Sequence, residues 1–163
     1  MKKVFVVALM AVVCLAALAF AGDSTSKPWF DLEKCAFCKT LNAEPGLLEH
    51  MKHDYHNIES GLLCVTNIDK EFQPAFERAH GNMMKVVADL QAGKDVYFCE
   101  HCTQMGEFHN MNVKFEDVKT GFGSVMLWTS AEPEVIAKLQ AFGVRNTEEM
   151  AKFEAKMKQS MKH

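Results

Sequence analysis

The sequence predicts an α+β protein with a mostly antiparallel sheet, built from two repeated units and completed by a C-terminal helix. Three observations predict this fold. A Cys-x-x-Cys pair occurs at Cys35–Cys38 and again, much later in the chain, at Cys99–Cys102. Each pair is followed by apolar segments typical of a β-hairpin. Each hairpin pattern then leads into a helical pattern, with apolar residues three or four positions apart.

The second unit shows its elements most clearly. Val113 and Phe115 alternate with polar residues, a Lys-Thr-Gly turn interrupts the alternation, and Val125–Trp128 resumes it. This pattern is typical of a hairpin. Ser130 then offers a cap for a helix that has Pro133 in its first turn. We therefore expect a hairpin covered by a helix.

The first unit repeats this order. Its segment Met51–Gly61 matches Met111–Gly121 position by position, and an apolar run follows each segment. Asp69 is a candidate cap for a longer helix that Gly93 ends, and Thr147 opens a last helix. We interpret the order as a structural duplication, with a single irregular domain as the alternative. The predicted boundaries are a signal peptide at 1–21, a linker at 22–28, a first unit at 29–94, a second unit at 95–146 and a C-terminal helix at 147–163.

The N-terminus predicts export. Two lysines precede an apolar stretch from Val4 to Phe20, and Ala19 and Ala21 form a signal-peptidase site with cleavage after Ala21. The apolar run is short for a membrane span. Cleavage leaves 16 basic and 21 acidic residues, a balance with no general attraction for nucleic acid or anionic lipid. We therefore expect a soluble periplasmic or secreted protein.

The mature chain would hold five cysteines, Cys64 and the two Cys-x-x-Cys pairs. Paired cysteines tend to form disulfides in an oxidising compartment, but an odd number leaves at least one thiol free or ligated. Structural disulfides are one interpretation. Catalytic dithiols are a second, which requires the motif at the start of a helix. The segments CKTLNAEPG and CTQMGEFHN that follow the motifs contain glycines and polar residues, and they predict loops.

Metal binding is the favoured interpretation, and it has two forms. In the first, four thiolates from the two pairs hold one tetrahedral zinc ion, which a duplicated fold would permit by bringing the two loops together. In the second, each unit binds its own soft ion, such as Cu(I), with nearby imidazole or thioether groups. The candidate ligands are Cys35, Cys38, Cys99 and Cys102, with His101, Met105 and His109 as accessory ligands in the second unit and His50 and His53 in the first.

The histidines of the first unit recur at every third position, at His50, His53 and His56. On a helix they would share one face, whereas on a strand His53 points away from the other two. The repeat alignment favours the strand, so at most two of them could join one site. Met105 and Met111 lie near the thiols in sequence, whereas the other methionines are expected to fill the core, and Cys64 to be a buried, inert thiol.

Two resemblances involve these residues. The segment VYFCEHC, which ends at Cys102, is similar to the YFCS-x-x-C knuckle of the YHS and TRASH modules, where such cysteines bind metal. The plan of an exported chain with two Cys-x-x-Cys-led ββα units resembles the NosL-type copper-binding proteins of nitrous oxide reductase maturation. Their C-x-x-C-G-M loop corresponds to CEHCTQM here, with Met105. The resemblance implies Cu(I) binding and transfer to a partner protein.

These patterns predict an exported protein that binds a soft metal, Cu(I) or Zn(II), for sequestration, sensing or delivery to a periplasmic partner. We expect binding rather than turnover, because no paired carboxylates, Ser/His/Asp set or glycine-rich phosphate loop stands out. The alternatives are a thiol-disulfide oxidoreductase or electron carrier, and a partner-binding domain held together by disulfides.

Overall fold

A four-stranded antiparallel sheet and four α-helices make up residues 27–160, the part of the chain that the computed structural model describes. The strands are β1 (Met51–Ile58), β2 (Gly61–Ile68), β3 (Lys114–Thr120) and β4 (Gly123–Thr129), in the order β1-β2-β4-β3. The helices are α1 (Cys38–Asn42), α2 (Gln73–Gln91), α3 (Glu100–Phe108) and α4 (Pro133–Ser160). The predicted α+β class is confirmed. The predicted signal peptide lies outside the described residues.

The two predicted hairpins join through their second strands. Strands β2 and β4 pair antiparallel at the centre of the sheet, with Cys64 directly opposite Met126. The match between the two predicted units paired Gly61 with Gly121. In the structure the second strand of each hairpin begins at Gly61 and at Gly123. The order of a cysteine motif, a hairpin and a helix occurs twice along the chain. The duplication itself stays a prediction.

Helix α2 begins later than predicted. Asp69 precedes a short 3₁₀ turn, Lys70–Phe72, and its carboxylate accepts a hydrogen bond from His50 Nδ1 at 2.7 Å instead of capping the helix. The helix ends as predicted, because Gly93 follows it in the left-handed conformation, with φ 75°. Its N-terminal half buries small side chains in a second core cluster, which consists of Leu47, Met51, Ile68, Ala75 and Ala79.

Helix α4 is one continuous helix, so the predicted helix start at Thr147 is wrong. The Thr147 hydroxyl donates to the Gly143 carbonyl one turn earlier, at 3.1 Å, and no proline interrupts the helix between Pro133 and Ser160. Gly143 permits close contact with the sheet, since a Cβ there would lie 2.3 Å from Leu62 Cδ1. The main core lies at this contact and consists of Trp29, Leu62, Phe108, Trp128, Val135, Leu139 and Phe142.

The helices within residues 27–160 include none that is both long enough and apolar enough to cross a membrane.

Candidate metal centre

The two Cys-x-x-Cys pairs meet at one point. The sulfur atoms of Cys35, Cys38, Cys99 and Cys102 all lie within 4.8 Å of one another. Cys38 Sγ is 3.7 Å from both Cys99 Sγ and Cys102 Sγ. All four side chains are buried, with at most 8% of the surface of each residue exposed. The two pairs therefore form a single cluster and not two separate sites.

Backbone hydrogen bonds hold the two loops together. The Ala36 amide in the first loop donates to the Tyr97 carbonyl just before the second, at 2.9 Å. Asp31 Oδ1 accepts from the Lys34 amide at 2.8 Å and so fixes the chain ahead of the first cysteine. Phe37 and Phe98 stack over the cluster with their ring centroids 5.1 Å apart. These contacts fix the positions of the cysteines relative to one another.

The prediction that loops follow the cysteines is wrong. Cys38 is the first residue of α1, and Cys99 is the N-cap residue of α3. The first amides of α3 donate to the carbonyls of a distant segment, Glu100 to Pro28 and His101 to Trp29, both at 3.1 Å. The helix therefore needs no capping side chain at its start. Positive helix ends near the sulfurs favour thiolates there.

The four sulfurs share their protons unequally. Hydrogen bonds from the Cys102 thiol, and then from Cys38 and Cys99, hold the pKa of Cys35 far below its usual value. Hydrogen bonding led by Cys102 also lowers the pKa of Cys99 to about 7. The same bonds, led by the one to Cys35, raise the pKa of Cys102 far above its usual value. The cluster therefore favours the thiolate form at Cys35 and the protonated form at Cys102.

This geometry suits a single tetrahedral ion. Zinc–sulfur bonds of about 2.3 Å in a tetrahedron place neighbouring sulfurs about 3.8 Å apart, close to the 3.7 Å separations here. A disulfide needs about 2.05 Å between sulfurs, and the five cysteines of the described residues are free thiols. The cluster is compatible with binding of a soft metal ion.

The accessory ligands predicted in the second unit lie outside the cluster. His101 sits among aromatic rings, 5.1 Å from Phe30 and 5.2 Å from Phe142 between centroids. Its Nδ1 is buried without a hydrogen-bond partner among the described residues. Met105 packs against the main core, and exposed His109 stacks on Phe115 at 4.5 Å. Neither histidine joins the group of mutually close ligand atoms.

The predicted ligands of the first unit also lie elsewhere. His50 stacks on Phe72 with centroids 3.9 Å apart and binds Asp69, so its ring is already engaged. His53 lies on β1, and its Nδ1 shares a hydrogen bond of 3.0 Å with Thr66 Oγ1 on β2. The stretch forms a strand, as favoured from the sequence, and His56 is exposed while His53 is half-buried. The His50–His56 series therefore does not form a common site.

A cavity of about 490 Å³ adjoins the cluster, and Cys38 and Cys102 form part of its wall. It lies over the face of the sheet that carries His53, Tyr55 and Cys64. Sequence reasoning assigned Cys64 to an inert core position and missed this site. The burial pattern along β2 places Cys64 on the inward face of the sheet. The cavity itself is formed by segments that are far apart in sequence, so local patterns do not reveal it.

Burial of His53 in the cavity wall predicts a loss of stability in acid. Desolvation lowers its pKa from 6.5 to about 4. Between those values the unfolded chain binds a proton that the folded protein does not, so the free energy of unfolding falls as the pH drops from 6.5 to 4. The full shift is worth up to about 3 kcal/mol. We expect His53→Gln to remove this part of the acid sensitivity, measured by urea unfolding across this pH range.

The control for that experiment is His56→Gln, which changes an exposed residue of the same strand. Its stability should follow the pH dependence of the unchanged protein. If the free energy of unfolding of the His53 variant depended on pH in the same way as that of the unchanged protein, His53 would not be the source of the acid sensitivity.

Comparison of the chain with protein-family models, with curated proteins and with solved structures gave no match.

Proposed function

We propose that this chain is an exported soft-metal-binding protein and that its four clustered thiolates hold one ion, Zn(II) in preference. The observation that carries the proposal is the separation of the four sulfurs, all within 4.8 Å and close to the edge of a zinc–thiolate tetrahedron. A tetrahedral set of four sulfurs is typical of zinc or iron and does not favour Cu(I).

Burial of the ligands bears on what the ion does. A site closed by four protein sulfurs has no open position for substrate, which is the arrangement of structural zinc. Cys35 and Cys99 have no exposed surface. Such an ion is retained tightly and exchanges slowly. Among sequestration, sensing and delivery, the closed site fits retention best, and transfer to a partner would require the two loops to open.

Thiol-disulfide chemistry is the second candidate, since Cys38 and Cys99 lie at helix N-termini. Reactive thiols are also accessible, however, and the four sulfurs here are buried. A dithiol enzyme also does not need two Cys-x-x-Cys pairs packed around one centre, as they are here. We therefore rank it below metal binding.

Metal and thiol analysis of anaerobically purified protein tests the proposal. We expect one zinc per chain and, after denaturation with a chelator, five reactive thiols in a mature protein that begins at Gly22. Bound iron would retain the tetrathiolate centre but exclude zinc as its ion. Two disulfides with one free thiol, and no metal after reconstitution, would exclude the metal centre. Mass spectrometry of the exported protein checks the cleavage site separately.

A further inference from the structure

The cavity beside the cysteine cluster has an unusual wall. None of its 22 lining residues is Asp, Glu, Lys or Arg. Thirteen of them carry a sulfur atom or an imidazole, as six methionines, four histidines and three cysteines. The whole chain has 11 methionines, 7 histidines and 6 cysteines, together 24 of its 163 residues. The wall is thus enriched in soft donor groups well beyond the composition of the chain.

This enrichment indicates the class of ligand. A pocket for an apolar organic molecule is lined predominantly by hydrophobic and aromatic side chains, whereas nine of the 22 lining residues here are aliphatic or aromatic and thirteen carry a sulfur atom or an imidazole. Thiol, thioether and imidazole groups select Cu(I) and similar soft ions. The chemistry of the wall therefore fits a soft cation better than an organic ligand.

The sheet brings several donors together on one face. Cys64 on β2 lies directly opposite Met126 on β4, and such pairs have Cβ atoms about 5 Å apart. His53 on β1 lies opposite Thr66, which is the next inward-facing position along β2 from Cys64. His53 and Cys64 are therefore diagonal neighbours on adjacent strands, and a long or aromatic side chain can span that separation. All three donors line the cavity.

His53 is oriented as a metal ligand would be. Its Nδ1 shares a hydrogen bond of 3.0 Å with the Thr66 hydroxyl, so Nε2 is the ring nitrogen that could bind a cation. Ligating histidines usually bond through one ring nitrogen while the other donates to a neighbouring acceptor.

Two further features complete the site. Met105 from α3 lines the cavity and packs against the same core as Met126, which supplies a second thioether. Met83 and Met84 of α2 lie on the cavity wall, and 52% of Met84 is exposed. Met84 therefore places a half-exposed side chain on the wall of the cavity.

We propose a second metal site in this cavity, specific for a soft monovalent ion such as Cu(I), with Cys64 Sγ, His53 Nε2 and the Met126 thioether as ligands and Met105 as a fourth. Binding replaces the S–H bond of Cys64 with a sulfur–metal bond and releases the proton to solvent. One thiolate neutralises a monovalent ion, whereas a divalent ion would leave a net charge in a cavity wall without carboxylates. The site does not depend on the proposed zinc centre.

Silver(I), a soft monovalent ion that does not change oxidation state, tests the proposal. It is titrated into the zinc-loaded protein carrying ¹³C-methyl methionine, while a chromogenic chelator reports released zinc. We expect the first equivalent to shift the methyl signals of Met105 and Met126 and to release no zinc. Zinc release at the first equivalent without these shifts would overturn the proposal, because silver would then have entered the tetrathiolate cluster.

Variants identify the ligands. Cys64→Ser and Met126→Leu, which nearly preserve side-chain volume, should each weaken silver binding by about tenfold or more while one zinc is retained. Met111→Leu is the matched control, since Met111 packs on the main core but does not line the cavity. Retained zinc and an unchanged circular dichroism spectrum show that each variant folds. Equal silver affinity in all three variants and the unchanged protein would overturn the assignment.

Discussion

Replacing Cys99 by serine is expected to unfold this protein or to remove most of its stability. Cys99 is fully buried, and its sulfur belongs to a cluster that joins Cys35 and Cys38 to the second pair. Apparent binding free energies of structural zinc in small domains are about 10–16 kcal/mol, comparable with the whole stability of a domain. We expect a loss of at least about 5 kcal/mol, measured by urea unfolding of the zinc-loaded proteins.

A strong chelator should lower the stability of the unchanged protein to a similar extent, because it would remove the proposed zinc ion. Cys64→Ser is the control, since Cys64 is also buried but lies outside the cluster. It should keep one zinc per chain and lose only about 1 kcal/mol. A Cys99→Ser protein with full zinc content and an unchanged urea midpoint would contradict the metal centre.

The second large effect is expected at the two glycines that open the central strands. Gly61 and Gly123 have φ values of 147° and 148°, a region that residues with a Cβ rarely adopt. A Cβ at Gly61 would lie 2.1 Å from the Trp128 carbonyl oxygen, and one at Gly123 would lie 2.0 Å from that of Thr66. Both oxygens belong to the paired strand. Alanine at either position should therefore cost about 3 kcal/mol or more.

Gly81→Ala provides the matched control. Gly81 lies within α2, and a Cβ there would meet no heavy atom within 4 Å. Alanine is favoured over glycine in a helix, so this variant should gain about 0.5–1 kcal/mol. Urea unfolding of the three variants measures both effects. Equal midpoints for Gly61→Ala and Gly81→Ala would show that the β2–β4 contact tolerates a side chain.

The helices beside the cysteines show why part of the candidate site could not be predicted. Helix α1 is very short, and α3 contains Gly106, so neither shows a long apolar period. The first amides of α3 are satisfied by carbonyls of Pro28 and Trp29, which are far from it in sequence. No capping side chain marks the start of α3, and local patterns therefore favoured a loop.

The accessory ligands illustrate the same limit. The proximity of His101 to Cys99 and Cys102 along the chain suggested a shared site, but the helical position of His101 places it among aromatic rings. His53, which belongs to the other predicted unit, lines the same cavity as His101 and Met105. Proximity to Cys99 and Cys102 along the chain therefore placed His101 on the wall of the adjoining cavity but not in the four-sulfur group.

The sequence by itself determined the two hairpins, the α+β class, the placement of His53 and His56 on opposite faces of a strand, and the four thiols that could hold a metal. These features follow from residue type and from periodicity over short segments. Only the tertiary structure decided that the four sulfurs share one centre, that Cys64 lies opposite Met126, and that α4 is continuous. The first two depend on contacts between segments that are far apart in sequence, which local patterns do not specify, and the third on the Thr147 hydroxyl, which bonds back to Gly143 within the helix instead of capping a new one.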